Sequence, residues 1–140
     1  MYNFRKSKKG FTLIELMVVV AIIGVLALLG LRLYTGQQEK AKNAIVKANV
    51  GTIQTLIQAE LADSTTTVVN GLWTDGTLVT SSGIHNPVDG AAQSNHETTL
   101  AGSAAGEVWV GMTGDVFTIN GNDASTDDTN IFTTSLTARK

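Results

Sequence analysis

No cysteine occurs in the 140 residues, which excludes a disulfide framework and any thiolate metal site. Proline occurs once, as Pro87, so the first 86 residues lack the residue that most strongly interrupts a helix. Aromatic residues make up 6% of the chain, and from Phe11 to Asp63 they are only Phe11 and Tyr34. That gives little support to electron transport along stacked rings. Basic residues are missing from most of the C-terminal part, where residues 64–140 hold eight acids against Arg139 and Lys140. An acidic region of this kind is a poor binder of nucleic acid. Signs of catalysis are equally sparse. His85 and His96 stand apart in polar sequence and read as surface residues. No Ser-His-Asp arrangement is legible and no glycine pattern would cradle a phosphate, so no enzymatic activity is expected.

What is present is concentrated at the other end. Residues 1–10 carry Arg5, Lys6, Lys8 and Lys9 with no acid, and the next stretch reads FTLIELMVVVAIIGVLALLG. From Phe11 to Leu31 the only ionisable side chain is Glu15. A run of this length can cross a hydrocarbon core of about 30 Å as a helix. The basic leader would hold its own end in the cytoplasm, and the acidic remainder would be exported. A cleaved secretory signal is the competing reading. It calls for an apolar stretch of about 7–15 residues and a small-residue cleavage site, whereas this run is longer and flows into more helix.

The segment QQEKAKNAIVKANVGTIQTLIQAELADS has no proline and repeats its apolar residues at helical intervals. Val46, Val50, Ile53, Ile57 and Leu61 form one stripe, and Ala41, Ala44, Ile45, Ala48 and Leu56 an adjoining one. Packing on the chain's own globular part explains this broad face more simply than a separate partner does. The helix should end near Asp63–Ser64. Beyond it, EVWVGMTGDVFTING predicts an antiparallel hairpin joined around Thr113-Gly114, with Val108, Val110 and Met112 on one face. Residues 131–136, IFTTSL, read as a last strand. TTTVV (65–69) and TLVT (77–80) are weaker strand candidates, and residues 81–106 form a long polar loop. At this length one domain is expected. Its fold class would be α+β, a long amino-terminal helix covering one face of a small antiparallel sheet. The expected division is 1–10 leader, 11–35 apolar half-helix, 36–63 amphipathic half-helix and 64–140 globular β-rich part.

KKG followed by FTLIEL and a continuous apolar helix resembles the class III signal of type IV pilins and of the related type II secretion pseudopilins. The resemblance is close over residues 8–31, loose to Asp63 and architectural beyond. It implies cleavage by prepilin peptidase between Gly10 and Phe11 and methylation of the new Phe11 amine. It also implies that Glu15 pairs with the Phe11 amine of a neighbouring subunit during assembly. The implied product is a helical filament of identical subunits, built by inner-membrane assembly machinery. The precursor would lie in the cytoplasmic membrane and the filament outside the cell. A carboxylate in a membrane helix costs some 2.5–3.5 kcal/mol on insertion scales, and cleavage creates the cation that would offset it. The alternatives are a major pseudopilin of a secretion system and a single-span anchored binding domain, the last of which has no need of Glu15.

The chain departs from the family pattern in two places. Arg32, between Leu31 and Leu33, stands where many pilins have a helix-bending proline, although Gly30 and Gly36 could loosen that segment. The cysteine pair that closes the C-terminal loop in many pilins is also absent, so something else must hold residues 120–140. One expectation is calcium. Asp123, Asp127 and Asp128 in NGNDASTDDTN suit a hard cation and resemble, in a general way, the calcium loop of major pseudopilins. A solvated acidic turn is the plainer reading.

Overall fold

The computed structural model describes residues 10–93, 96–99, 103–125, 129–132 and 134–140. Among the described residues three helices, α1 (Leu13–Asp63), α2 (Thr66–Thr74) and α3 (Thr77–Ser82), precede three strands, β1 (Val108–Thr113), β2 (Val116–Gly121) and β3 (Leu136–Arg139). The chain divides between Gln37 and Gln38 into two compact units, and α1 contributes to both.

In the first unit every described residue is exposed. Leucine, valine and isoleucine project on all sides of the helix, with Leu13 75% and Leu29 57% exposed. A helix apolar all round belongs in lipid or inside a larger assembly, and this one is long and apolar enough to cross a membrane. Residues 30–36 stay helical past Arg32, and the Thr35 hydroxyl donates to the Arg32 carbonyl at 3.0 Å. Gly30 and Gly36 therefore do not interrupt the helix.

In the second unit α1 buries Val46, Val50, Ile53, Ile57 and Leu61, the stripe that the spacing predicts, together with Asn49. The adjoining set does not follow it inward. Ala41, Ala44 and Ala48 are exposed, Ile45 is 48% exposed and only Leu56 packs partly on the core. A helix resting on a small sheet buries a stripe little more than 100° wide, and the first five residues already fill it. The helix ends at Asp63, as expected.

The strands expected at 65–69 and 77–80 are helices instead. The Thr65 side chain caps α2 by accepting from the Val68 N–H, and Val69 and Trp73, one turn apart, are both buried. α3 is bounded by Gly76 and Gly83, both with positive φ. Caps and tertiary burial here outweigh the weak β preference of threonine and valine.

β1 and β2 form the predicted hairpin, with Thr113 opposite Val116. The two-residue turn is Gly114–Asp115, one residue beyond the expected centre. Gly114 has φ +61, as a tight hairpin with glycine at its first turn position requires. Val108 and Val110 are buried, while Met112, farther along the same face, is 38% exposed. β3 pairs antiparallel with β2 in a sheet of order β1-β2-β3. It occupies Leu136–Arg139 rather than residues 131–136. Ile131 and Phe132 are partly buried loop anchors: the Ile131 N–H donates to Gly121 O at 2.7 Å, and the Phe132 N–H to Asn120 Oδ1 at 3.2 Å. Those bonds leave β2's partner to begin at Leu136.

The core of this unit lies between α1 and the sheet, with Trp73 and Phe117 its largest fully buried side chains. Gly121 lets the two approach closely, since a Cβ there would stand 2.5 Å from Val46 Cγ1 and 3.2 Å from Val50 Cγ2. The sheet edges are closed by side chains. Gln93 accepts from the Val108 N–H and donates to the Val108 carbonyl on β1, while Gln54 and Gln58 donate to Thr137 O and Arg139 O on β3.

Candidate assembly site

Gly10, Phe11 and Thr12 precede α1, and Phe11 is 89% exposed. Thr12 is the cap of the helix and Glu15 stands three residues on. The Thr12 N–H donates to Glu15 Oε2 at 2.8 Å, the Thr12 hydroxyl donates to the same oxygen at 2.8 Å, and the Glu15 N–H approaches Thr12 Oγ1 at 3.3 Å. Two backbone donors that a helix start leaves without intrahelical acceptors are thereby satisfied reciprocally, as in a capping box. Sequence reasoning missed Thr12. The signal was legible, because Thr12-Leu13-Ile14-Glu15 has the threonine and glutamate spacing of that motif directly before an apolar run.

Glu15 is thus a carboxylate held against its own helix start, bordered by Phe11, Ile14, Val18 and Val19. It bonds Thr12 rather than Phe11. The arrangement presents one negative charge on an otherwise apolar surface, which fits recognition of a single cation in a place without water.

The C-terminal candidates separate. Asp127 and Asp128 lie outside the described residues. Asp123 accepts from the Ser125 N–H and hydroxyl on Oδ1 and from Asn43 Nδ2 on Oδ2, the last at 2.9 Å. The Ser125 hydroxyl is the main reason its carboxyl is held below the ordinary range, with Asn43 adding to the effect and burial opposing it. Both Asp123 oxygens accept hydrogen bonds here, and among the described residues, which leave out Asp127 and Asp128, no group of three metal-capable side chains occurs. His85 and His96 are exposed, as expected of surface residues.

A uniformly apolar amino-terminal stretch, a continuation of the same helix buried on a small antiparallel sheet, and a lone carboxylate five residues past Gly10 resemble the arrangement of the type IV prepilin class. Residues 5–31 match the prokaryotic N-terminal methylation motif. The chain is 46% identical over 66 residues to a probable minor fimbrial protein of Dichelobacter nodosus, covering 47% of this chain and 42% of that one. It is 47% identical over 56 residues to fimbrial protein EcpB of Eikenella corrodens, covering 40% and 35%. It is 39% identical over 64 residues to the type IV major alpha-pilin of Moraxella bovis, covering 46% and 40%. The chain thus spans well under half the length of these relatives. No solved structure gives a significant match.

Proposed function

We propose that this chain is the precursor of a type IV pilus subunit with a structural rather than catalytic role. It is cut between Gly10 and Phe11 by prepilin peptidase, methylated at Phe11, and built by inner-membrane assembly machinery into an extracellular helical filament of identical subunits. Residues 11 to about 36 form the filament core, and Glu15 pairs there with the Phe11 amine of a neighbour. The observation that carries this reading is the single carboxylate in residues 11–31, a stretch otherwise apolar and exposed on every side. Such a surface needs lipid before assembly and other helices after it, and a charge within it is kept for a partner. The fimbrial names of the relatives favour a pilin over a secretion pseudopilin.

The test compares the processed membrane pool with sheared-filament yield for wild type and Glu15→Leu. The variant inserts and is processed normally, since an expensive charge is gone and the Gly10-Phe11 bond is intact, yet its filament yield falls sharply. Wild-type yield from the variant alone would remove the carboxylate from assembly and overturn the reading.

A further inference from the structure

We infer that Thr12 is a positioning residue for Glu15, and that Glu15 has two successive partners: Thr12 of its own chain while the subunit waits in the membrane, then a cation from another copy during assembly. The inference rests on the reading of Glu15 as the assembly carboxylate and adds to it a preceding state.

The first turn of a helix has four N–H groups with no intrahelical acceptor. In water they are solvated, but in hydrocarbon each unsatisfied backbone group is costly. Here the residues around the helix start are Phe11, Leu13, Ile14 and Leu16, which offer no side-chain acceptor. Thr12 and Glu15 supply two acceptors between them, Oγ1 for the Glu15 N–H and Oε2 for the Thr12 N–H. The same contacts reduce the exposure of the charge, because Oε2 takes a second donor from the Thr12 hydroxyl at 2.8 Å. Among the described residues all the bonds to the carboxylate fall on one oxygen, which leaves Oε1 for an incoming cation while the side chain is already turned toward the amino end. Threonine is suited to this, since one hydroxyl both donates to the carboxylate and accepts from the backbone.

The two partners make different demands on residue 15. Capping needs an acceptor at this position and is met by glutamate or glutamine. Pairing with a cation needs the charge. Glu15→Gln therefore keeps the waiting state and loses assembly, Glu15→Leu loses both, and Thr12→Val loses the capping hydroxyl while the charge stays.

The experiment has two arms on full-length chains. Hydrogen exchange of the uncut protein in detergent micelles reads the waiting state without requiring processing. Thr12→Val lowers protection of the Glu15 amide roughly fivefold or more, as loss of a cap should, whereas Thr12→Ser keeps wild-type protection. Sheared-filament yield, normalised to the processed pool, falls several-fold for Thr12→Val and returns with Thr12→Ser. Unchanged Glu15 protection in Thr12→Val would overturn the inference, as would normal yield, or failure of serine to restore either quantity. These outcomes are separable from failure of the assembly reading, which shows as wild-type yield from Glu15→Leu.

Discussion

The side-chain amide of Asn43, on α1, donates to Asp123 Oδ2 at 2.9 Å and accepts from the adjacent Ala124 N–H at 2.8 Å, across some eighty residues of sequence. One amide thus grips both the side chain and the backbone of the loop that follows β2. In a chain with no cysteine, this contact is one of those that hold the loop in place. Asn43→Ala leaves a part-buried carboxylate oxygen and a backbone donor without these partners, which costs about 1–3 kcal/mol for such groups. A lower melting temperature of the full chain in micelles, with proteolysis shifted to the loop around residue 123, is the expected result. An unchanged melting curve would show that the loop is held elsewhere.

The last strand is tied to the same helix about three turns further on. Gln54 and Gln58 lie on one face of α1 and donate to Thr137 O and Arg139 O, at 2.9 and 3.1 Å. They occupy carbonyls on the outer edge of β3, which a neighbouring strand could otherwise use. A Gln54→Ala, Gln58→Ala double variant should lose about 1–2 kcal/mol, the sum of two modest hydrogen bonds. It should also associate at concentrations where wild type does not, measured by light scattering of the chain in micelles. A stability loss without association would confine the role of the two glutamines to stability.

Gly121 marks a close approach of helix and sheet. Its missing Cβ would meet Val46 Cγ1, Val50 Cγ2 and Glu107 O. The first two are fully buried core atoms and the third is backbone, so none can move without disturbing its own packing. Gly121→Ala is expected to destabilise by roughly 1–3 kcal/mol, the usual penalty for overpacking. Val46→Ala in the same chain should relieve part of it. Strict additivity of the two losses would argue against the contact.

Acid should act through carboxyls of the second unit. Asp75 is held low chiefly by hydrogen bonds from Thr77, whose N–H donates to Oδ1 at 2.8 Å, and Asp123 is held low by Ser125 first. In the unfolded chain such groups return to about 3.9, so the folded state binds protons less readily. Their contribution is whole above about pH 4 and disappears as pH falls through the lower folded values. Melting temperature should therefore respond little to these groups between pH 5 and 8 and fall below pH 4. Asp123→Asn should make that acid slope shallower, and an identical slope would remove Asp123 from the account.

What the sequence revealed follows from where apolar residues repay burial. The stripe from Val46 to Leu61 was legible because five large residues at helical spacing have one economical use. The adjoining alanines and Ile45 have the same pattern, but sequence does not say where the edge of the covered face falls. The hairpin was legible from alternation and a glycine, whereas β3 was misplaced because Ile131 and Phe132 look like strand residues and serve as loop anchors. LTAR offers almost nothing to read, since its position is set by pairing with β2. At the amino terminus, Gly10, Phe11 and Glu15 stood out by composition and resemblance, but Thr12 passed as one more small residue beside a charge. The amides of Asn43, Gln54, Gln93 and Asn120 were invisible, because such side chains are mostly found on surfaces and their partners lie far away in sequence.

The proposed cleavage site allows a test in which the chain's own fold is not at stake. Gly10 is exposed, has no positive φ, and a Cβ built on it meets nothing within 4 Å. Gly10→Val therefore has no steric cost within the described structure, and its effect must arise in whatever enzyme reads the junction. If that enzyme is a peptidase shaped to a glycine before the scissile bond, the variant should accumulate as full-length precursor in the membrane, with wild-type circular dichroism and melting temperature after extraction. Filaments should be absent, since no Phe11 amine is ever made for a neighbour's Glu15. Gel mobility and the amino-terminal mass of the membrane pool decide it. Normal filaments beginning at Phe11 would show that the glycine is not what the peptidase reads.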